Sequence, residues 1–248
     1  MAECTICLRA TELTMFRGSV RTLDSLNLKV DSGKIVSILG PNGAGKTTTI
    51  NLFMGFVKPA SGFAEVCGID VAVDPLAARR NLAFIPETVS LYGQLSGIEN
   101  LEYFAKLGGV SGLTKADLGN LLQRAGLQFT AFERRVSTYS KGMRQKVCVA
   151  LALAKRAQAM LLDEPTSGLD PYAAKEFSIL LKRLSQEGVG ALVATHDLLL
   201  AKEISDEIVI LVGGQIRHRL VANELSLGEL EKVYLSELDI AASSEARG

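Results

Sequence analysis

Lys46 and Thr47 directly follow a glycine loop, Gly40-Pro41-Asn42-Gly43-Ala44-Gly45. The eight residues fit G-x-x-x-x-G-K-[ST] at every fixed position. Glycines let a backbone curl so that its amide N–H groups point inward at an anion. A helix starting where the loop ends adds its positive pole. In that geometry the ammonium of Lys46 would reach the β- and γ-phosphates, and the Thr47 hydroxyl would bind Mg²⁺. An ordinary Gly-rich strand–helix turn needs no Lys-Thr pair after its last glycine. The expected ligand is therefore a nucleoside triphosphate, although the loop alone does not say what its energy is used for.

Two further polar groups follow apolar runs. Met160-Leu161-Leu162 ends in Asp163-Glu164, and Ala191–Ala194 ends in Thr195-His196-Asp197. Asp163 is a candidate to hold Mg²⁺ through water. Adjacent carboxylates repel unless a cation lies nearby. Glu164 is the candidate general base for water attacking the γ-phosphate. Tyr139-Ser140-Lys141-Gly142-Met143 opens a helical pattern with Ser140 as N-cap and Met143, Val147, Ala150, Leu151 and Ala154 on its apolar face. Such a start can bind an anion, but it is common and weak evidence alone.

The elements that must carry these groups can be read in order. Thr5–Ala10 and Leu26–Val30 are expected strands, the second with the period-2 alternation of a half-buried antiparallel strand. Phe16 falls in a polar, Gly-containing loop, where its ring could pack inward or stack on adenine. Ile35–Leu39 is a buried strand, and Thr47–Met54 continues as helix. A strand pair over Gly62–Val73, a short helix over Asp74–Arg80 with Pro75 in its first turn, and a strand over Leu82–Ile85 follow. From Thr88 to about Ala159 the pattern turns helical, with helices over Ile98–Leu107, Lys115–Ala125 and Lys141–Arg156. Strands return at Met160–Leu162, Ala191–Ala194 and Ile208–Val212. A helix over Pro171–Gln186 has Asp170 as N-cap and Gly188 near its end. Gly213-Gly214 reads as a hairpin loop. Leu225–Leu238 is an amphipathic helix, and Ala241–Gly248 is expected to fray.

Buried strands alternating with helices imply an α/β fold with a parallel sheet. Three of these strands deliver polar residues at their carboxyl ends, the edge where open α/β sheets bind ligands. The organisation expected is a nucleotide-binding core over about 1–87 and 160–224, an inserted helical lobe over about 88–159, and a C-terminal helix and tail over about 225–248.

Composition narrows the function classes. The 248 residues carry 27 basic and 27 acidic side chains, so net charge makes no electrostatic case for nucleic acid as main partner. No apolar run approaches a membrane span, and the N-terminus lacks a signal layout; a cytoplasmic protein is expected. Cys4, Cys7, Cys67 and Cys148 are expected to be reduced thiols, since Cys4-x-x-Cys7 has no second pair and His196 and His218 lie far away in sequence.

Taken together and in this order, the motifs resemble the ATP-binding subunit of ABC (ATP-binding cassette) transporters over nearly the whole chain. GPNGAGKTT at 40–48, including Thr48, matches Walker A; MLLDEP at 160–165 matches Walker B plus the catalytic Glu. YSKGM at 139–143 resembles the signature, with Lys141 and Met143 replacing the commoner Gly and Gln. SGLD at 167–170, with Asp170, resembles the D-loop, and His196 resembles the switch histidine. Glu87 in IPE takes the Q-loop position, where many relatives carry Gln. IPE and SKGM resemble the ABC-2 type exporter branch, and Phe16 resembles the adenine-stacking aromatic.

The resemblance implies a P-loop NTPase (RecA-like) core with an N-terminal antiparallel β subdomain, and ATP and Mg²⁺ as ligands, with Thr47, Asp163 and Glu87 toward the metal. It implies a head-to-tail homodimer, or a pair with another ATP-binding subunit, in which Ser140–Met143 of one chain completes the site of the other. It also implies a separate membrane-spanning permease, docked near Glu87, Leu91, Tyr92, Tyr103 and Phe104, with the chain peripheral on the inner face of the cell membrane. Two rivals remain at this level. A soluble ABC-type ATPase acting on ribosomes or nucleic acid usually carries tandem cassettes or basic extensions, and a P-loop kinase would not explain Ser140–Gly142, Ser167–Asp170 and His196 together.

Overall fold

A computed structural model describes residues 4–245, with side chains up to residue 240. Its elements in chain order are β1 (Ile6–Arg17), β2 (Val20–Asp31), β3 (Ile35–Leu39), α1 (Lys46–Phe53), β4 (Ser61–Val66), β5 (Ile69–Asp70), α2 (Pro75–Arg80) and β6 (Leu82–Ile85), then α3 (Gly97–Leu107), α4 (Lys115–Arg124) and α5 (Lys141–Ala154), then β7 (Ala159–Asp163), α6 (Pro171–Gln186), β8 (Gly190–Thr195), α7 (Leu198–Ile204), β9 (Glu207–Val212), β10 (Gln215–Val221) and α8 (Leu227–Glu245).

Two sheets form. One has the order β2-β1-β4-β5 and is antiparallel; the other has the order β10-β9-β3-β8-β7-β6. In the second sheet β6, β7, β8, β3 and β9 are parallel, and β10 closes the edge antiparallel to β9. Parallel pairing puts the carboxyl ends of β3, β6, β7 and β8 on one edge, so the polar residues that follow each strand are delivered to the same place. The α/β fold with an antiparallel subdomain and a parallel core is as the sequence implies.

The period of two along each central strand decides what lies on each face. Val36, Ile38, Leu161, Leu192 and Ala194 point toward the antiparallel sheet and α1, meeting Leu8, Leu13, Leu26, Ile50 and Phe53. Met160, Leu162, Ala191 and Val193 point the other way, against Phe177, Leu181 and Leu184 of α6 and Val147 and Ala150 of α5. These strands are apolar on both faces because both are covered. Each fully buried leucine or phenylalanine contributes about 1.5–3 kcal/mol. The helical lobe joins the second core through Leu101, Leu118 and Leu122, and α5, which begins at Lys141 just after Ser140, joins it through Val147, Ala150 and Ala152.

Several expectations shift on the structure. The first two strands are twelve residues each, longer than the expected Thr5–Ala10 and Leu26–Val30. Glu12 and Ser25 hold φ of 49° and 48°, and the ladder slips between Ala10 and Leu13, so a β-bulge breaks the alternation where the strands continue. Phe16 therefore belongs to β1 and not to a loop. Helix α5 ends at Ala154, two residues early. Helix α8 runs to Glu245, so the expected fraying from Ala241 does not hold as far as that residue; the rest of that stretch, 246–248, lies outside the described residues.

Candidate functional site

The loop between β3 and α1 is packed too closely for side chains at two glycines. A Cβ on Gly40 would lie 2.3 Å from the Leu211 carbonyl oxygen, and one on Gly45 would lie 2.6 Å from that of Thr22. Gly45 also holds φ of +108°, which disfavours any L side chain. The loop is thereby clamped between β9 and the β1–β2 hairpin. Lys46 lies beneath it, only 6% exposed, and its Nζ donates to the carbonyl oxygens of Gly40 at 2.5 Å and Pro41 at 3.2 Å. Burial lowers its pKa, opposed by the nearby charges of Glu164 and Asp163.

Opposite the loop are the groups at the ends of β7 and β8. The Thr47 hydroxyl donates to Asp163 Oδ2 at 3.1 Å, and Lys46 Nζ is 3.8 Å from Glu164 Oε1. Desolvation raises the Asp163 pKa, and the carboxylates of Glu164 and Glu87 add to that rise. A hydroxyl and a partly buried, mutually repelling set of carboxylates fit a divalent cation. Thr47 and Asp163 are the residues that could hold it, with Glu87 close enough to raise the Asp163 carboxyl. Glu164 is fixed by three donors or partners: the Thr195 hydroxyl at 3.0 Å, the His196 backbone N–H at 3.4 Å, and His196 Nδ1 at 2.9 Å. Its backbone N–H donates to the Ala194 carbonyl at 2.8 Å. Its φ is 45°, in the left-handed region, a strain of order 1–3 kcal/mol that tertiary contacts must hold. The His196 ring is 61% exposed, so it can meet a ligand while touching Glu164.

The remaining candidates occupy two adjoining regions. Glu87 follows β6 and accepts from the Ser167 hydroxyl at 3.1 Å. Ser140 is exposed and caps α5 by accepting from the Met143 N–H at 3.3 Å. Lys141 donates to the Ser167 carbonyl oxygen, and Gly142 faces Leu169 and Ala173. Asp170 caps α6, accepting from the Ala173 N–H at 2.9 Å. The 140–143 stretch thus packs on its own chain's 167–170 loop. Phe16, 40% exposed, lies on the β1–β2 hairpin with the Arg21 guanidinium 5.5 Å from its ring centroid. Asn42 and Gly43 form the exposed crest of the glycine loop, Ala44 and Thr48 its inner wall and first turn.

Two residues passed over in the sequence belong to this architecture. Thr195 holds Glu164 and also accepts from the Asp197 N–H at 3.0 Å. Gln145, fully buried, donates to the Pro165 carbonyl oxygen and so ties α5 to the end of Asp163-Glu164-Pro165. The available signal is an uncharged polar residue inside an otherwise apolar stretch.

The Tyr92, Tyr103 and Phe104 rings form a cluster with centroids 5.1–5.8 Å apart. Tyr92 is 52% and Tyr103 44% exposed, so these two are not the lobe core. Beside them Leu91, Leu101, Phe104, Val147 and Leu151 line an apolar groove of about 170 Å³.

Residues 23–167 match the family model described as ABC transporter. The doxorubicin resistance ATP-binding protein DrrA of Mycobacterium tuberculosis is 34% identical over 224 residues, covering 90% of this chain and 67% of that one. The bacitracin transport ATP-binding protein BcrA of Bacillus licheniformis is 33% identical over 219 residues, covering 88% of this chain and 71% of that one. Among solved structures, a dimeric ATP-binding cassette in a post-hydrolysis state bound to ADP and Pi superposes with a TM-score of 0.76 at 25% identity, over 87% of this chain and 98% of that one.

Proposed function

The chain belongs to the ABC transporter family of ATP-binding proteins, and on that footing we propose that it hydrolyses ATP to drive a separate membrane-spanning partner in the direction of export. The observation that carries the reading is the convergence of Lys46, Thr47, Asp163, Glu164 and His196 on one sheet edge. Lys46 exchanges the carbonyls of Gly40 and Pro41 for the β- and γ-phosphates, a charge-assisted contact stronger than either bond it leaves. The amides of Gly43–Thr48 and the start of α1 face the same phosphates. Mg²⁺, held by Thr47 and Asp163, would neutralise phosphate charge. Glu164, already positioned by Thr195 and His196, accepts the proton of the attacking water, and His196 contacts the γ-phosphate. Phe16 stacks on the adenine.

Ser140–Met143 acts across an interface. In one chain this strip leans on 167–170, with the Ser140 hydroxyl at an exposed helix start. A second copy, turned head to tail, would bring its own Ser140 and Gly142 to the nucleotide on the first. The dimeric cassette among the structural relatives supports that arrangement. Ser140→Arg is expected to leave folding and ATP binding by the monomer near parental, while abolishing the ATP-dependent dimer. Sedimentation with ATP in a hydrolysis-deficient background measures this, and an undiminished dimer would remove Ser140 from the interface.

The groove beside Tyr92 is where a cytoplasmic segment of the membrane partner docks. Among the described residues no helix is long and apolar enough to cross a membrane; on the transporter reading a separate membrane-spanning partner supplies the path, and the chain lies on the cytoplasmic face through it. The names of the drug-resistance and bacitracin-transport relatives support export; the cargo site belongs to the partner. Tyr92→Ala should weaken the association about 30-fold or more if the ring is an interface anchor, while ATP hydrolysis by the isolated chain stays within about twofold of parental. Co-purification from detergent-solubilised membranes tests both the reading and the surface. Parental recovery of the partner with Tyr92→Ala would exclude this groove, and no membrane protein recovered with the parental chain would overturn the transporter reading.

A further inference from the structure

Cys4, Cys7 and Cys67 meet at the amino-terminal edge of the parallel strands, opposite the nucleotide edge. The Sγ atoms of Cys4 and Cys67 are 2.8 Å apart, and those of Cys4 and Cys7 are 3.7 Å apart. All are free thiols. Cys7 is fully buried, and its side chain fills the space where Gly190 has no Cβ. Cys4 and Cys67 are half-buried and line a groove of about 220 Å³ together with Arg9, Glu65 and Gly68. Backbone bonds hold the approach: the Cys67 N–H donates to the Cys7 carbonyl at 2.9 Å, and the Cys4 N–H to Gln158 Oε1 at 3.1 Å. Cys67 also holds φ of 50° in the β4–β5 turn, a conformation that residues of its kind rarely adopt.

We propose that Cys4 and Cys67 are an oxidisable dithiol, closed to a disulfide by a hydroperoxide and reopened by small thiols. Three features carry this. The two sulfurs are closer than non-bonded thiols normally approach, and closure to the ~2.05 Å of a disulfide requires less than an ångström of movement. Both thiols open to the same groove, through which a small oxidant can reach them. The third thiol, Cys7, lies behind them and is screened from it. Hydrogen bonds from Cys67 and Cys4 hold the Cys7 thiol down to about 6 against the opposing effect of burial, whereas burial raises the Cys4 thiol, and the hydrogen bond to Cys7 together with burial raises the Cys67 thiol, so the negative charge of the cluster rests on Cys7, where it can take a proton from the reacting pair. Cys148 lies on α5, and burial pushes its thiol up to about 12, which leaves it unreactive.

The chemistry balances with the peroxide alone. One thiol of the pair gives its proton to the Cys7 thiolate as it attacks the O–O bond, forming a sulfenic acid, and the leaving hydroxide takes that proton on from Cys7 as water. The second thiol attacks the sulfenic sulfur, the S–S bond forms and a second water leaves. Two thiols and one hydroperoxide thus give one disulfide and two waters, or one water and one alcohol from an organic peroxide. Two equivalents of a small thiol reverse the reaction by exchange. Strand β8, Gly190–Thr195, separates the cluster from Thr195 by about 16 Å at a rise of ~3.3 Å per residue, so closure need not disturb the phosphate site.

The test is peptide mapping of the whole protein, treated folded with hydrogen peroxide and then alkylated in denaturant. The expected result is a peptide linking Cys4 to Cys67, with Cys7 and Cys148 alkylated, and recovery of four thiols after dithiothreitol. The linkage should persist in Cys7→Ser and vanish in Cys4→Ser and in Cys67→Ser. The oxidised parent should melt roughly 5–10 °C higher than the reduced one. Four alkylated thiols after peroxide, a linkage between any other pair, over-oxidation of Cys4 or Cys67 without linkage, or a tightly bound soft metal ion that blocks all three thiols would each overturn the proposal.

Discussion

Glu164→Gln is expected to lower ATP hydrolysis by about 10²–10⁴-fold, the usual cost of losing a general base, while leaving ATP bound. Glutamine has the same length and keeps an acceptor oxygen for the Thr195 hydroxyl, which lies 3.0 Å from Glu164 Oε2. The backbone at φ 45° is no more strained for Gln than for Glu, so the fold should tolerate the change. What disappears is a carboxylate able to take a proton from water, and one negative charge 3.8 Å from Lys46 Nζ. Losing that charge should slightly favour a polyanionic nucleotide. With closure intact and turnover blocked, the dimer should accumulate with ATP between its halves. His196→Ala should also slow turnover but trap less dimer, because it removes the proposed γ-phosphate contact and one of the groups positioning Glu164. Both variants are to be incubated with Mg-ATP, with hydrolysis and dimer fraction measured together. A parental rate for Glu164→Gln means that some other group accepts the proton.

Lys46→Ala should weaken ATP binding by about 10- to 100-fold, corresponding to a charge-assisted hydrogen bond of roughly 1.5–3 kcal/mol. The structure adds a second consequence. Lys46 Nζ bonds the carbonyls of Gly40 and Pro41, so alanine leaves both without that donor and loosens the loop before any nucleotide arrives. A modest fall in melting temperature without ligand should therefore accompany the affinity loss. Titration with a fluorescent nucleotide, alongside thermal melts of both proteins, separates the two effects. Equal affinity in variant and parent would remove Lys46 from the phosphate site.

The glycine loop reads plainly in the sequence because its geometry is local: a strand, a close-packed turn that excludes Cβ atoms, and a helix, each with its own residue signature. Even its one small apolar side chain, Ala44, packs inward with Leu23, Ile50 and Leu211 in the core between the sheets. The same holds for α6, where Asp170 as cap, Pro171 in the first turn and an apolar face at helical spacing are all visible over consecutive residues; the buried apolar members of that face are Phe177, Leu180, Leu181 and Leu184. Strand β6 likewise carries its bounds in one apolar run, Leu82–Ile85. Half of the long hairpin β1–β2 escapes such a reading, because bulges at Glu12 and Ser25 reverse which residues face the core, and alternation is the only strand signal a sequence carries there.

Residue chemistry and local backbone sterics, then, determined the phosphate loop, the helix caps, the parallel α/β class and the polar groups at strand ends. The tertiary structure alone decided which of those groups touch. Glu164 meets Thr195 and His196 only because β7 and β8 pair in parallel with Asp163 beside Ala194. Lys141 meets Ser167, and Gln145 meets Pro165, only because α5 lies against the segment after β7. Cys4 reaches Cys67 only because β1 pairs with β4 in the register Leu8 to Val66. Each of these contacts joins residues tens of positions apart, and the free energy that selects them comes from the burial of whole faces, which no short stretch of sequence contains.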